Sequence, residues 1–478
     1  MSLQQGSFPE TWKTAIVTPL LKKSGLPLEL CNYRPISNLS YVSKLIESAS
    51  MDQLTKHLAQ HSLASSQNSA YKKGHSTETL ITKVHSDILM AMDERNVVLL
   101  VMLDLSAAFD TVDYPILHQI LENKFGLSDN VMKWVVSYLC NRKLQVQVEK
   151  ELSHPFPLEC GVPQGSCAGP ILFLCYLSSL YDVIARHLPS VGGYADDHQL
   201  YLSFKPGNID NELQTIHAMS SCITDIRVWM LTHKLKINDN KTEVILLGSS
   251  QMLSKVNIES LTVGNDEIKT VSKVKNLGVI FDENMSMDCQ VNNICSKAYS
   301  QLYKLNKIKH YVNKTSLEKL VHAFVTSHLD YCNSILYGIP KYQLQKLQRI
   351  QNSAARLITD TKRSQHISPI LKNLHWLKVE HRIFFKIILL TFKARIGLAP
   401  SYINDLLIID NPSRSLRSVH QYKYKIPRTK SKTIGNRSFY YAAPLLWNSL
   451  PFYLRETTDL NHFKTHLKTY LFNMCYSS

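Results

Sequence analysis

Three aspartates in two separate stretches of the chain are the residues whose type and spacing best fit a chemical site. Asp104 follows the continuous apolar run Val97–Leu103, which predicts a buried strand that delivers this carboxylate at its C-terminal end. Asp196 and Asp197 stand between a Gly-Gly pair and an alternating apolar stretch, which predicts a hairpin with both acids at its turn. If the two strands pair, the three carboxylates meet at one end of a sheet.

Such a cluster of acids repels itself, so ionisation of all its members is costly unless a divalent cation is bound. Oxygen ligands with few histidines nearby favour Mg²⁺. Two such ions can activate an attacking 3′-hydroxyl group and stabilise a leaving pyrophosphate in an in-line displacement. Taken alone, an Asp-Asp pair at a turn more often consists of solvent-exposed turn residues than of metal ligands. Evidence for a metal site must therefore come from the rest of the chain.

The periodicity around these acids predicts an α+β fold. Further strands are expected at Leu144–Val148 and Glu243–Leu247 and in a hairpin over Val271–Phe281. Helices are expected near Tyr41–Leu58, between Pro115 and Gly126, from Ser128 to Leu139 and from Leu213 to Leu231. From about residue 286 the pattern becomes helical, and one basic amphipathic helix includes Leu344–Leu357.

The charge of the chain points to a polyanionic partner. The 478 residues carry a net charge of +16, and residues 361–478 contribute +14 of it, with 19 Lys and Arg against 5 Asp and Glu. This balance is too basic for a typical metabolic enzyme. The ten cysteines form no C-x-x-C pair, which favours reduced thiols over a disulfide framework or a zinc ribbon. The apolar runs are too short to cross a bilayer, so membrane insertion and secretion are not expected.

Several motifs together resemble the reverse transcriptase domain of non-LTR retrotransposons, the long interspersed elements of the jockey or chicken-repeat type. They occur in the family's order and rough spacing over about residues 10–300. The matching stretches are Asn32–Ser37, Leu103–Asp110, Gly161–Ser166 with Gly169-Pro170, Tyr194–Asp197, Asn238–Glu243 and Leu277–Val279. Each stretch is weak alone, but the six in order make chance agreement very unlikely.

The resemblance implies a right-hand polymerase with fingers, a palm built on an antiparallel sheet, a helical thumb and a basic, mainly α-helical C-terminal region. The boundaries expected are 1–95 for the fingers, 96–283 for the palm with a fingers insertion near 120–160, 286–360 for the thumb and 361–478 for the C-terminal region. The implied activity is RNA-directed DNA synthesis with two Mg²⁺ ions, which Mn²⁺ can replace. The implied partners are an RNA template, a DNA primer or target and deoxynucleoside triphosphates.

The resemblance also implies a role for individual residues. Asp104 and Asp196 are expected to be bridging metal ligands, with Asp197 as the auxiliary acid and the carbonyl of Leu105 completing a metal shell. The other expected roles are triphosphate binding by Arg34 and Lys44, exclusion of a 2′-hydroxyl by Phe109, nucleotide and template packing by Gln164 and Gly165, protonation of pyrophosphate by Lys241, and a primer grip at Leu277, Gly278 and Val279.

Most of these residues also have a plain structural interpretation. Phe109 fits a core aromatic residue, and Gln164 and Gly165 fit a tight turn. Lys44 and Lys241 fit exposed lysines, and the hairpin at 277–279 fits ordinary packing. These alternatives stay open at the level of sequence.

The basic C-terminal region interleaves aromatic residues with cations, notably over Tyr422–Lys430 and Arg437–Tyr441. Cations neutralise phosphates and flat rings stack on unpaired bases, so this region is expected to bind RNA or single-stranded DNA. A basic face that packs back on the thumb is the alternative.

Related elements usually place an endonuclease ahead of the polymerase, and the match here begins almost at Met1, so we expect a partial reading frame. The chain is expected in the nucleus, the cytoplasm or both. The rival hypothesis is a non-catalytic, nucleic-acid-binding remnant or domesticated protein.

Overall fold

The computed structural model describes residues 2–23, 25–63, 65–105, 109–263, 266–410 and 422–476. The strands in these ranges are β1 (Thr14–Leu21), β2 (Tyr33–Asn38), β3 (Val97–Leu103), β4 (Arg142–Val148), β5 (Glu151–Leu152), β6 (Phe156–Leu158), β7 (Val191–Tyr194), β8 (Asp197–Phe204), β9 (Glu243–Leu247), β10 (Ser260–Val263), β11 (Asp266–Lys269), β12 (Lys273–Asn276) and β13 (Val279–Asp282).

The helices in the same ranges are α1 (Ser2–Gln5), α2 (Tyr41–Gln60), α3 (Thr77–Asp93), α4 (Tyr114–Asn123), α5 (Asp129–Leu139), α6 (Gly169–Tyr176), α7 (Leu180–Ile184), α8 (Ile209–Thr232), α9 (Ser250–Leu253), α10 (Asp288–Ile308), α11 (Lys314–Val321), α12 (Ser327–Asp330), α13 (Lys341–Thr359), α14 (Ile367–Asn373), α15 (Val379–Arg395), α16 (Ser401–Asn404), α17 (Phe439–Asn448), α18 (Phe452–Glu456) and α19 (Leu460–Tyr476). Antiparallel sheets followed by a long helical part confirm the predicted α+β class. None of these helices is both long and apolar enough to cross a bilayer.

The central element is a four-stranded sheet of order β7-β8-β3-β9, which we call the palm sheet. All three of its pairings are antiparallel. The inner strand β3 is buried on both faces, which explains its continuous apolar sequence. Val98 and Leu100 face one hydrophobic cluster, and Val97, Leu99 and Val101 face another. The palm sheet therefore separates the two main cores of the protein.

A second sheet lies in the region predicted to form the fingers. Its order is β2-β1-β4-β5, with β6 paired to β4. Strands β1 and β2 form an antiparallel pair, whereas β1 and β4 run parallel. Residues 142–158 thus belong to the same sheet as the N-terminal strands. This sheet brings β2, which carries Arg34, next to the chain that leads into α6.

The helices after residue 286 do not form a separate unit from the palm. Helix α3 lies beneath the palm sheet, and its buried apolar residues share one hydrophobic cluster with helices of both the thumb region and the C-terminal region. Phe392 of α15 stacks on Phe463 of α19 at 3.8 Å between ring centroids, and Trp447 of α17 is fully buried beside them. The last quarter of the chain is therefore part of the main core.

Candidate active site

The palm sheet brings the three predicted carboxylates to one end, as the sequence pattern predicts. Leu103 pairs with His198, so Asp104 emerges from β3 beside the start of β8. Tyr194 pairs with Asp197 across a tight turn that contains Ala195 and Asp196. Ala195 has a φ of 56°, a left-handed conformation that is unfavourable for a residue with a side chain. The turn is therefore held by its surroundings rather than by local preference.

The acids at this end of the sheet perturb one another. Burial, followed by the charges of Asp196 and Asp104, raises the pKa of Asp197 to about 6. Burial also raises the pKa of Asp196, and the charge of Asp104 adds to this effect. The positive charges of Lys241 and Arg34 act in the opposite direction on Asp196. The site thus concentrates negative charge that a cation would stabilise.

Lys241 and Asn238 contact the carboxylate of Asp104 directly. Lys241 Nζ lies 2.9 Å from Asp104 Oδ2, and Asn238 Nδ2 donates to the same oxygen at 3.3 Å. The backbone N–H of Asn238 donates to the carbonyl oxygen of Asp104, while Leu105 forms a bridge with Ile237. Within the part of the chain that the structure describes, no three His, Cys, Asp or Glu side chains are grouped closely enough to hold a metal ion.

A buried polar network, which no sequence pattern predicts, lies behind the acidic turn and supports it. Asn68 Nδ2 donates to the hydroxyl of Tyr181, which lies 3.3 Å from His198 Nε2. His198 Nδ1 in turn lies 3.0 Å from the carbonyl oxygen of Asp196. Burial lowers the pKa of His198 to about 4, so the ring is neutral at pH 7. Added side-chain atoms at Gly193 would overlap Tyr181, which makes glycine necessary there.

Residues 161–169, which we call the Gln164 loop, lie against the segment that follows Asp104. Gln164 Nε2 donates to both carboxylate oxygens of Asp110 at 3.0 Å. The N–H of Val162 donates to the carbonyl oxygen of Phe109 at 2.8 Å. The ring of Phe109 is partly buried and lies 4.3 Å from that of Phe173. Residues 106–108 lie outside the described ranges.

The same loop touches the fingers strand β2. The N–H of Ser37 donates to the carbonyl oxygen of Gln164 at 3.0 Å. Gly165 has a φ of +110°, and a Cβ there would lie 2.9 Å from the carbonyl oxygen of Ser37. The need for glycine, expected from nucleotide and template approach, is thus already explained by the approach of β2. Arg34 is exposed on this strand and influences the pKa of Asp196.

The two remaining predicted groups lie at the edges of the site. Lys44 is half-buried on α2, and its charge lowers the pKa of Cys167, which burial raises. Leu277 and Gly278 form the two-residue turn between β12 and β13, with φ values of 43° and 87°, and Val279 is buried. Tyr331 donates its hydroxyl to the carbonyl oxygen of Leu277 at 2.6 Å, so the thumb region contacts this hairpin.

The expectation that the aromatic residues of the C-terminal region stack on bases is wrong for several of them. Tyr424 and Phe439 are buried, and so is Arg437. Trp447 Nε1 donates to the carbonyl oxygen of Tyr422, and Asn448 donates to that of Tyr424. The Trp-Asn pair therefore fixes this segment against the core. These rings fill the interior because their apolar area is better buried than exposed.

The chain is similar in sequence to known reverse transcriptases. A family model described as reverse transcriptase (RNA-dependent DNA polymerase) matches residues 21–281. The probable RNA-directed DNA polymerase from transposon BS of Drosophila melanogaster is 26% identical over 389 residues, covering 79% of this chain and 41% of that protein. The RNA-directed DNA polymerase from mobile element jockey of Drosophila funebris is 24% identical over 367 residues, covering 75% and 39%.

The chain thus spans about two fifths of the length of these curated relatives. Among solved structures, apo telomerase from Candida tropicalis gives a TM-score of 0.42 at 12% identity, covering 76% of this chain and 59% of that one.

Proposed function

Because the chain belongs to the reverse transcriptase (RNA-dependent DNA polymerase) family, we propose that it adds deoxynucleotides to a primer 3′-hydroxyl group on an RNA template. The observation that carries this proposal is the meeting of Asp104, Asp196 and Asp197 at one end of an antiparallel sheet. Relatives whose names place them in transposons support an origin in a non-LTR retrotransposon. The partners would be an RNA template, a DNA primer or target and deoxynucleoside triphosphates, in the nucleus, the cytoplasm or both.

The donor atoms at the acidic end are of the type that a hard divalent cation binds, because they are carboxylate oxygens. Burial and the neighbouring carboxylates raise the pKa of Asp196 and Asp197. The described side chains are not grouped closely enough here to enclose an ion, so binding would have to draw these carboxylates together. Asp104 and Asp196 would hold Mg²⁺, or Mn²⁺ in its place, with Asp197 and the carbonyl of Leu105 as additional donors. Two such ions, when bound, activate a primer hydroxyl group and neutralise charge on a leaving pyrophosphate.

The side chains around the acids would bind and orient the nucleotide. Arg34 would neutralise the triphosphate, and the influence of its charge on Asp196 supports this role. Phe109 would lie under the sugar and exclude a 2′-hydroxyl group. Gln164 and Gly165 would contact the nucleotide and template. Lys44 acts on the pKa of Cys167 in the Gln164 loop, so it would contact the triphosphate from the side of this loop.

Lys241 would protonate the leaving pyrophosphate. Its ammonium group is exposed and lies 2.9 Å from Asp104, within reach of the groups that would react at the acidic end. The turn at Leu277, Gly278 and Val279 would hold the primer end, and its contact with Tyr331 would couple it to the thumb region.

Primer extension tests the proposal against the rival hypothesis of a non-catalytic nucleic-acid-binding remnant. Purified protein would be incubated with a DNA primer on a heteropolymeric RNA template, deoxynucleotides and either Mg²⁺ or Mn²⁺. We expect templated extension that requires the divalent cation. A folded protein that binds the primer–template yet extends nothing with either ion would refute the polymerase and leave the binding remnant.

A further inference from the structure

Glu47, in the first half of α2, is a carboxylate without exposed surface. Its Oε1 accepts a hydrogen bond from Ser43 Oγ at 2.6 Å. Its Oε2 accepts from the backbone N–H groups of Cys167 at 2.8 Å and Ala168 at 3.3 Å. Burying a carboxylate is costly unless such donors compensate for the lost water. Glu47 therefore links α2 to the distant residues Cys167 and Ala168 by hydrogen bonds that an apolar core residue could not form.

The two amides that Glu47 binds lie near the C-terminal end of the Gln164 loop. Cys167 and Ala168 directly precede Gly169, the first residue of α6, so their N–H groups lie at the positive end of this helix. Ser166 Oγ accepts from the N–H of Gly169 at 2.8 Å in the same turn. The carboxylate thus fixes the point at which the loop becomes a helix.

The Gln164 loop is held by hydrogen bonds at three points along its length. At its start, Gly161 and Val162 donate to carbonyl oxygens of the segment that follows Asp104. In its middle, the carbonyl oxygen of Gln164 accepts from Ser37 of β2. At its end, Glu47 of α2 holds it. Because β2 and α2 are consecutive and carry Arg34 and Lys44, the loop is tied to the elements that bear the proposed triphosphate-binding cations.

We propose that Glu47 is a positioning residue that sets the placement of Gln164 relative to Arg34 and Lys44, and so the affinity for the incoming deoxynucleotide. The inference rests on the proposed function of the site. A packing role alone would predict that Glu47 matters only for stability. The charge of Glu47 also helps to raise the pKa values of Cys167 and Tyr138, for each of which burial is the larger cause.

The experiment compares Glu47→Met, Glu47→Gln and Glu47→Asp with the full-length protein. Methionine has a similar shape but accepts no strong hydrogen bond. Glutamine retains one oxygen for the two amides, and its NH₂ group can donate to Ser43. Aspartate keeps the charge but draws the carboxylate back by one methylene. The matched control is Glu212→Met, since Glu212 is also a buried glutamate whose carboxylate accepts a backbone N–H, that of Asn257 at 3.3 Å.

The readout is the dissociation constant of a deoxynucleotide in a ternary complex with a dideoxy-terminated primer on RNA, measured beside the melting temperature. No turnover is needed, so a failure of catalysis does not imitate a failure of this inference. We expect Glu47→Met and Glu47→Asp to weaken nucleotide binding about tenfold, the effect of roughly one lost well-placed hydrogen bond to a charged group. Glu47→Gln should bind within about threefold of wild type, and Glu212→Met should leave binding unchanged while lowering the melting temperature.

If Glu47→Met folds and binds the deoxynucleotide as tightly as wild type, Glu47 has only a packing role and the inference is overturned. If Glu47→Met does not fold, Glu47→Asp decides by the same criterion. Equal weakening in Glu212→Met would also overturn it, because the effect would then follow from general destabilisation. Hydrogen exchange of peptides covering residues 161–169 gives a second criterion, and faster exchange in Glu47→Asp than in wild type is expected.

Discussion

Gly165→Ala isolates the contact between the Gln164 loop and β2. At a φ of +110° any side chain is strained, at a cost of about 1–3 kcal/mol. The new Cβ would also lie 2.9 Å from the carbonyl oxygen of Ser37, and backbone on both sides has to move. The movement would break the bond from Ser37 to Gln164 and misplace the bond from Gln164 to Asp110.

Two such hydrogen bonds contribute about 2 to 3 kcal/mol together, which corresponds to a roughly 30- to 160-fold loss of kcat/KM for the deoxynucleotide. The assay is steady-state primer extension on RNA with varied deoxynucleotide, beside thermal melting. Gly397→Ala is the matched control, because Gly397 has a φ of +71° but no atom within 4 Å of a new Cβ. It should lose about 1–2 kcal/mol of stability and keep its kcat/KM. A Gly165→Ala protein as active as Gly397→Ala would refute the proposed coupling of loop and strand.

Three further outcomes are expected. Phe109→Val should raise the ratio of ribonucleotide to deoxynucleotide incorporation, and an unchanged ratio in an active variant would assign Phe109 to the core with Phe173. Burial and the charge of Arg437 lower the pKa of His85 to about 3, so its contribution to stability is complete above pH 6.5 and falls as the pH drops towards 3. The free energy of unfolding of the wild-type protein, measured by urea titration, should therefore fall by about 2 kcal/mol more between pH 7 and pH 5 than that of His85→Met. The same pH dependence in both proteins would refute this. Deletion of residues 361–478 should abolish cooperative melting, since Trp447 and its neighbours belong to the main core; a shortened chain with a wild-type transition would contradict that placement.

The sequence predicted the elements that carry the acids because each has a strong local signal. The apolar run of β3 and the alternating pattern of β8 are visible without any knowledge of the partner strand. The sequence therefore predicts that Asp104 and Asp196 meet at one end of a sheet if these two strands pair. The structure adds the exact register, with Leu103 opposite His198.

The supporting residues could not be predicted because their partners are distant in sequence. Glu47 binds amides about 120 residues away, and Asn68 binds Tyr181. Helix α3 has no clear amphipathic pattern in the sequence, because it is buried around most of its surface, including polar residues such as His85. The prediction that Tyr424 stacks on nucleic acid is wrong because composition does not distinguish an exposed aromatic residue from a buried one.

Loss of activity on removal of one acid tests the central account most directly. Wild-type protein and Asp196→Ala would be compared by single-turnover primer extension on RNA with Mg²⁺, with Asp210→Ala as the control because Asp210 is an exposed aspartate outside the site. If Asp196 helps to stabilise the transition-state charge, the extension rate of Asp196→Ala should fall by several orders of magnitude, which corresponds to an activation free energy higher by at least about 4 kcal/mol. Asp210→Ala should keep the wild-type rate. A folded Asp196→Ala protein that extends the primer at the wild-type rate would contradict the assignment of this acidic end as the active site.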